Sequence, residues 1–63
     1  MHEQLLRIGA VREAVGLSRS QIFRLERNQN FPARVQLSAN SVAWKRSEIE
    51  AWIESRVVVG RSK

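Results

Sequence analysis

Residues 16–32 read GLSRSQIFRLERNQNFP, and the fold turns on how this stretch is read. Its apolar side chains are few: Leu17, Ile22, Phe23, Leu25 and Phe31. Between them stand Arg19, Arg24 and Arg27, with Ser18, Ser20 and Gln21 crowded at the front. Ser18 suits an N-cap, because its hydroxyl can accept from a free backbone N–H at a helix start. From Arg19 to about Gln29 the run is helix-compatible, and Leu17, Ile22 and Leu25 make a narrow inward stripe. Asn28, Gln29 and Asn30 weaken the helix, and Pro32 disfavours helical geometry at Phe31, so the helix should end near Asn28 to Asn30. Its leading turn is almost entirely hydrogen-bonding side chains. Taken alone, that is an ordinary capped helix.

Upstream, LLRIGAVREAVG (residues 5–16) opens with a short apolar run, Leu5, Leu6 and Ile8. Ala10, Val11, Ala14 and Val15 follow at helical spacing, predicting one buried face. Gly16 ends this short helix, since glycine tolerates the left-handed conformation just past a C-terminus. Two helices joined by three or four residues containing a glycine make the helix-turn-helix signature.

Downstream, ARVQLSANSVAW (residues 33–44) changes period. Val35 and Leu37 alternate with Arg34 and Gln36, which predicts a strand with one wet face. Ser38, Ala39, Asn40 and Ser41 supply turn chemistry before Val42 and Trp44 resume the alternation, giving a β-hairpin. SEIEAWIESR (residues 47–56) reads as a third helix, with Ser47 and Glu50 as a capping box and Ile49, Trp52 and Ile53 facing the core. Trp44 and Trp52 both fall in apolar registers and are assigned to the core. Val57 to Val59 could extend the helix, pair as a strand or meet another subunit, and Gly60 to Lys63 should fray. The expected fold is mainly α with a small β-hairpin: a winged helix-turn-helix of three helices plus a two-stranded wing.

The chain has 63 residues, enough for a single domain (1–63), with the core at about 5–57 and 58–63 as tail. It has no cysteine and one histidine, His2, which removes a disulfide framework and the usual metal sites. No leader or long apolar run is visible, so a cytoplasmic, nucleoid-associated location is the default expectation. The net charge is +5, and between Ser18 and Arg46 six basic residues face one acid, Glu26. Elsewhere the charges cancel. A basic surface kept for solubility does not explain that segregation; a polyanionic partner does. Enzyme chemistry is not expected: no Ser/His/Asp set or glycine-rich phosphate loop exists, and so small a domain can scarcely enclose a substrate pocket. No cofactor is implied, and Glu48, Glu50 and Glu54 read as a solvated acidic face.

In a helix-turn-helix the second helix enters the major groove with its N-terminal residues on base edges. The candidate recognition residues are therefore Ser18, Arg19, Ser20, Gln21, Phe23, Arg24 and Arg27. Arginine pairs with guanine and glutamine with adenine, which makes Arg19, Gln21 and Arg24 the base readers. Ser18 and Ser20 should cap the helix or touch phosphate. Phe23 either covers the core edge or meets the nucleic acid; both readings stay open. On the wing and its flanks, Arg34, Gln36, Ser38, Asn40, Lys45 and Arg46 point to phosphates or a minor groove. The competing reading of that hairpin is a core closure with charged edges that discourage strand-to-strand association.

GLSRSQIFRL, FPARVQL and VAWKRSEIEAWI, in that order, resemble the AlpA family of small prophage transcriptional regulators, and the resemblance covers residues 5–56. It implies a winged helix-turn-helix related to MerR-type and excisionase domains, binding double-stranded DNA near prophage genes. By position it implies that Ser18, Arg19, Ser20, Gln21, Phe23 and Arg24 form the recognition helix, and Ser38 to Ser41 the wing tip. Members look like activators of integrase genes or directionality factors for excision. Two departures stand out. SANS fills the turn before the second strand, where many relatives carry glycine, and ERNQNFP follows the second helix in place of a lysine and a glycine. Three alternatives to a transcriptional regulator remain: an excisionase that bends attachment-site DNA, a protein-binding module using the acidic third helix and the valine run, and, more weakly, RNA binding. A homodimer or cooperative array, and contact with an integrase or RNA polymerase, are left open as partners.

Overall fold

Val11, Ile22, Phe31, Trp44 and Ile49 are spread along the sequence and meet in one buried cluster. The computed structural model that brings them together describes residues 3–56. In chain order its elements are β1 (Leu5–Leu6), α1 (Ile8–Val15), α2 (Arg19–Arg27), β2 (Val35–Ser38), β3 (Ser41–Lys45) and α3 (Arg46–Glu54). Every element but β2 sends a side chain into or against that cluster, so no helix stands on its own propensity. Three helices around a small antiparallel sheet are consistent with a winged helix-turn-helix.

The sheet has one strand more than expected. β1 pairs antiparallel with β3 (Leu5 with Lys45, Leu6 with Trp44), giving the order β1-β3-β2 in place of a two-stranded wing. Two residues are too short to show a period, which is why the Leu5–Leu6 run could not be assigned. β3 is thereby the central strand, and its Ala43 and Trp44 are fully buried.

Two helical faces also differ from expectation. On α1 the core side is Ile8, Val11 and Val15, while Ala10 and Ala14 are exposed. Both sets have helical spacing, and the larger side chains win because burying them removes more apolar surface from water. On α3, Ile49 and Trp52 face inward but Ile53 is 39% exposed, so the stripe is narrower than predicted. Val57 to Val59 and Gly60 to Lys63 lie outside the described residues. No helix among the described residues is long and apolar enough to cross a membrane.

The predicted capping box of Ser47 and Glu50 does not form. β3 runs straight into α3, so Ser47 already lies inside the first turn and the N-cap, Lys45, offers no side-chain acceptor. The acceptor comes from the other end of the chain. Glu3 Oε2 accepts the Ser47 backbone N–H at 3.0 Å, and Oε1 accepts the Ser47 hydroxyl at 2.8 Å. Those two bonds hold the Glu3 carboxyl below its usual value. Glu50 instead pairs with Arg46, Nε to Oε2 at 2.9 Å, one helical turn away.

The expected hairpin is present with a tighter turn. Val35 pairs with Ala43, Gln36 with Val42 and Ser38 with Ser41, leaving Ala39 and Asn40 as the turn. The register slips between Gln36 and Ser38, and Leu37 is the residue left over. Alternation from Val35 predicts an inward Leu37; the bulge turns it outward, and it is 45% exposed.

Candidate nucleic-acid interface

The turn between α1 and α2 is built from two capping devices. Gly16 adopts φ 72° and ψ 25°, and its N–H bonds to the Arg12 carbonyl at 2.8 Å. Ser18 then starts α2 with a reciprocal pair: its Oγ accepts the Gln21 N–H at 3.2 Å, and Gln21 Oε1 accepts the Ser18 N–H at 2.9 Å. Ser18 was expected as the cap. The return bond from Gln21 was missed, although S-x-x-Q spells it.

Helix geometry decides which α2 side chains face outward. At about 100° per residue, Ser20, Arg24 and Arg27 lie roughly 140–160° around the helix from the buried Ile22. All three are exposed. Arg19 and Phe23 lie on one flank of that stripe and Gln21 on the other. Gln21 keeps its carboxamide NH2 for an outside acceptor, while its oxygen already serves the cap. A bidentate glutamine–adenine pair needs both groups, and with the capping box closed the Gln21 oxygen has one lone pair left to supply its half.

Phe23 covers the edge of the core, the first of its two readings. Half-buried, it stacks on Trp44 with ring centroids 6.3 Å apart. Its ring also lies under two guanidinium groups, Arg19 at 5.4 Å and Arg34 at 5.1 Å from the centroid. One aromatic side chain thus joins the amino end of α2 to the start of β2.

Arg34 is held in place by Glu26. The carboxylate accepts the Arg34 backbone N–H and its Nη1–H, both at 2.8 Å. Glu26 was not named as a site residue. The available signal was its isolation, the one acid in a basic segment, and its task is to orient a cation while cancelling part of its charge. The connector between α2 and β2 is pinned as well. Trp44 Nε1–H donates to the Pro32 carbonyl at 3.0 Å and Trp52 Nε1–H to the Asn30 carbonyl at 2.7 Å. Phe31 sits edge-on to Trp52 at 4.8 Å between them.

The remaining wing candidates separate into two groups. Ser38 and Asn40 are exposed at or beside the turn, and Gln36 spends its amide Nε2–H on the Ser38 carbonyl, bridging the bulge. Lys45 and Arg46 lie at the opposite end of β3. Lys45 pairs with Leu5, and Arg46 Nη1–H donates to Gln4 Oε1 at 2.7 Å besides its bond to Glu50. These two cations are not gathered with Arg19 and Arg34 at the Phe23 ring. Among the described residues no cluster of three or more His, Asp or Glu could hold a metal, and no buried side-chain polar atom lacks a partner.

A family model described as Prophage CP4-57 regulatory protein (AlpA) matches residues 4–57. The chain belongs to the AlpA family. It is also 43% identical over 61 residues to Uncharacterized protein ORF88 of Enterobacteria phage P4, an alignment covering 97% of this chain and 68% of that protein.

The exit from α2, where this AlpA-family chain carries ERNQNFP, has a definite geometry. Asn30 N–H bonds to the Leu25 carbonyl at 2.8 Å and Gln29 N–H to the Glu26 carbonyl at 3.0 Å. That is the Schellman pattern, and it requires a left-handed residue just past the cap. Gln29 fills that place at φ 62°, the one non-glycine with positive φ among the described residues.

Proposed function

We propose that this AlpA-family chain is a prophage-type transcriptional regulator that binds double-stranded DNA sequence-specifically, with α2 in the major groove and the β2–β3 wing on the adjacent backbone. The observation that carries this reading is the shared Phe23 ring. Arg19 and Arg34 meet there, so the amino end of α2 and the foot of the wing offer one cationic surface. A duplex presents its groove and flanking phosphates in that same relation.

Roles follow from position. Arg24 and Arg19 read guanine, Ser20 faces the groove beside them, and Gln21 contributes a donor from its free NH2. Arg27, further along the outward stripe, and Arg34, fixed by Glu26, hold phosphates, while Ser38 and Asn40 approach the backbone at the wing tip. Lys45 and Arg46 would meet only phosphates lying beyond the wing. So small a module covers little DNA, which favours binding as cooperative copies. A cytoplasmic, nucleoid-associated place goes with that role.

Selection from a random duplex pool separates the roles. Arg24→Ala should relax preference at one base position and cost about 1–3 kcal/mol. Arg34→Ala should weaken all sequences alike and flatten the salt dependence by roughly one phosphate's worth, about 0.9 in log–log slope. Identical sequence profiles for the two variants would overturn this division of labour. Mapping bound sites in a host genome then decides between promoter control and excision: single upstream sites support the regulator, direct repeats within an attachment region the excisionase.

A further inference from the structure

We infer that Leu37 is an apolar wedge which the wing presses into the minor groove, opening a base step and bending the duplex; this rests on the DNA-binding reading above. Three large apolar side chains are markedly exposed among the described residues: Leu5, Leu37 and Ile53. Leu5 pairs with Lys45 at the end of β3 away from the wing tip, and Ile53 lies between Glu50 and Glu54, where phosphates would be repelled. Leu37 is different. From Arg27 to Ser47 the chain carries no acid at all, and Leu37 sits in the middle of that stretch.

Its exposure is also built. Ordinary pleating from Val35 would bury Leu37 on the inner face of β2, and the register slip between Gln36 and Ser38 turns it out instead. The Gln36 amide, donating to the Ser38 carbonyl, bridges the irregularity and fixes its shape. A bulge braced from within keeps the leucine aimed at solvent, where an isolated domain gains nothing from it.

The surroundings match a narrow groove. Ser38, Ala39, Asn40 and Ser41 are small and uncharged, and the minor groove is only about 6 Å wide. Just before that strand Arg34 is anchored at Phe23, so a wing held on the backbone there carries Leu37 inward behind its tip. Apolar side chains entering a minor groove partly unstack a base step and kink the helix. Flexible TA and CA/TG steps open most easily, so one such step should be preferred at a position that no hydrogen bond reads.

The test uses the full chain and a duplex of about three helical turns (~30 base pairs) recovered by the wild type from a random pool, with donor and acceptor dyes at its ends. Wild type and Leu37→Met should shorten the end-to-end distance on binding. Leu37→Ser should bind roughly five- to tenfold more weakly and leave the saturated duplex near its free length. A selection repeated with Leu37→Ser should lose the TA or CA/TG enrichment while keeping the preferences set by Arg24. Leu37 is exposed, so circular dichroism should show the serine variant as folded as the wild type. Equal bending by Leu37→Ser at saturation would overturn the wedge and leave the DNA reading intact. A fall in self-association of the free serine variant would overturn it too, by making the leucine a contact between copies. Failure of the wild type to retain any duplex would remove the DNA reading itself, and the wedge with it.

Discussion

In the left-handed region an L side chain crowds the following carbonyl, at a cost of about 1–2 kcal/mol, and Gln29 carries that cost at φ 62°. Gln29→Gly removes it. Glycine gives some of the gain back, because its unfolded chain is freer by about 0.4–1 kcal/mol. The side chain of Gln29 is exposed and makes no hydrogen bond among the described residues, so nothing else is lost. The net gain should be about 0.5–1 kcal/mol, which in a domain of this size raises Tm by roughly 2–8 °C. Urea unfolding followed by Trp44 and Trp52 emission should show a higher midpoint with an unchanged slope. Gln29→Ala keeps the β-carbon and should gain almost nothing. Gly16→Ala runs the exchange in reverse: at φ 72° its new β-carbon meets no atom within 4 Å, so the loss is conformational and of similar size. A midpoint for Gln29→Gly at or below the wild type, or one matched by Gln29→Ala, would refute the reasoning.

Ser18→Ala and Gln21→Ala should each cost about 1 kcal/mol in urea melts, and the double variant less than their sum, since both break one reciprocal pair. Glu3 has its carboxyl lowered from the usual 4.5 by the Ser47 bonds, so its capping of α3 is complete above that value. It should be lost as acid carries the pH below 4.5 through the lowered folded value. The Ser47 amide resonance should report that step, and Glu3→Gln should abolish it. Trp52→Phe forfeits the bond to the Asn30 carbonyl at a cost of about 0.5–1.5 kcal/mol. Trp44→Phe should cost more, about 2–4 kcal/mol, because the ring it shrinks is fully buried. Thermal melts of the pair check that order.

Local grammar made the helices readable. Gly16 and Ser18 carry their capping chemistry in their own residue types, and the bounds they set for α1 and α2 are those observed. The α2 exit was also placed by Asn28, Gln29, Asn30 and Pro32. Illegible were features decided across the chain. Leu5–Leu6 became a strand only because Trp44 and Lys45 offered an edge. Ser47 looked like a cap until β3 ran into its helix, and Leu37 looked buried until one register slip inverted it. Within the candidate interface, residue types named Arg19, Phe23 and Arg34 separately. Nothing local said that one ring would lie beneath both cations, or that Glu26 would steer the second of them.

The carboxylate that closes α3 has a bearing on biogenesis. The acceptor duty of Glu3 begins only when Ser47 has been made, and Gln4 likewise waits for Arg46. A nascent polypeptide halted before that point has its first strand without an edge and its last helix unbuilt. Closing the native fold therefore depends on contacts between distant parts of the sequence, and neither β1 nor the start of α3 is locked until the other is in place.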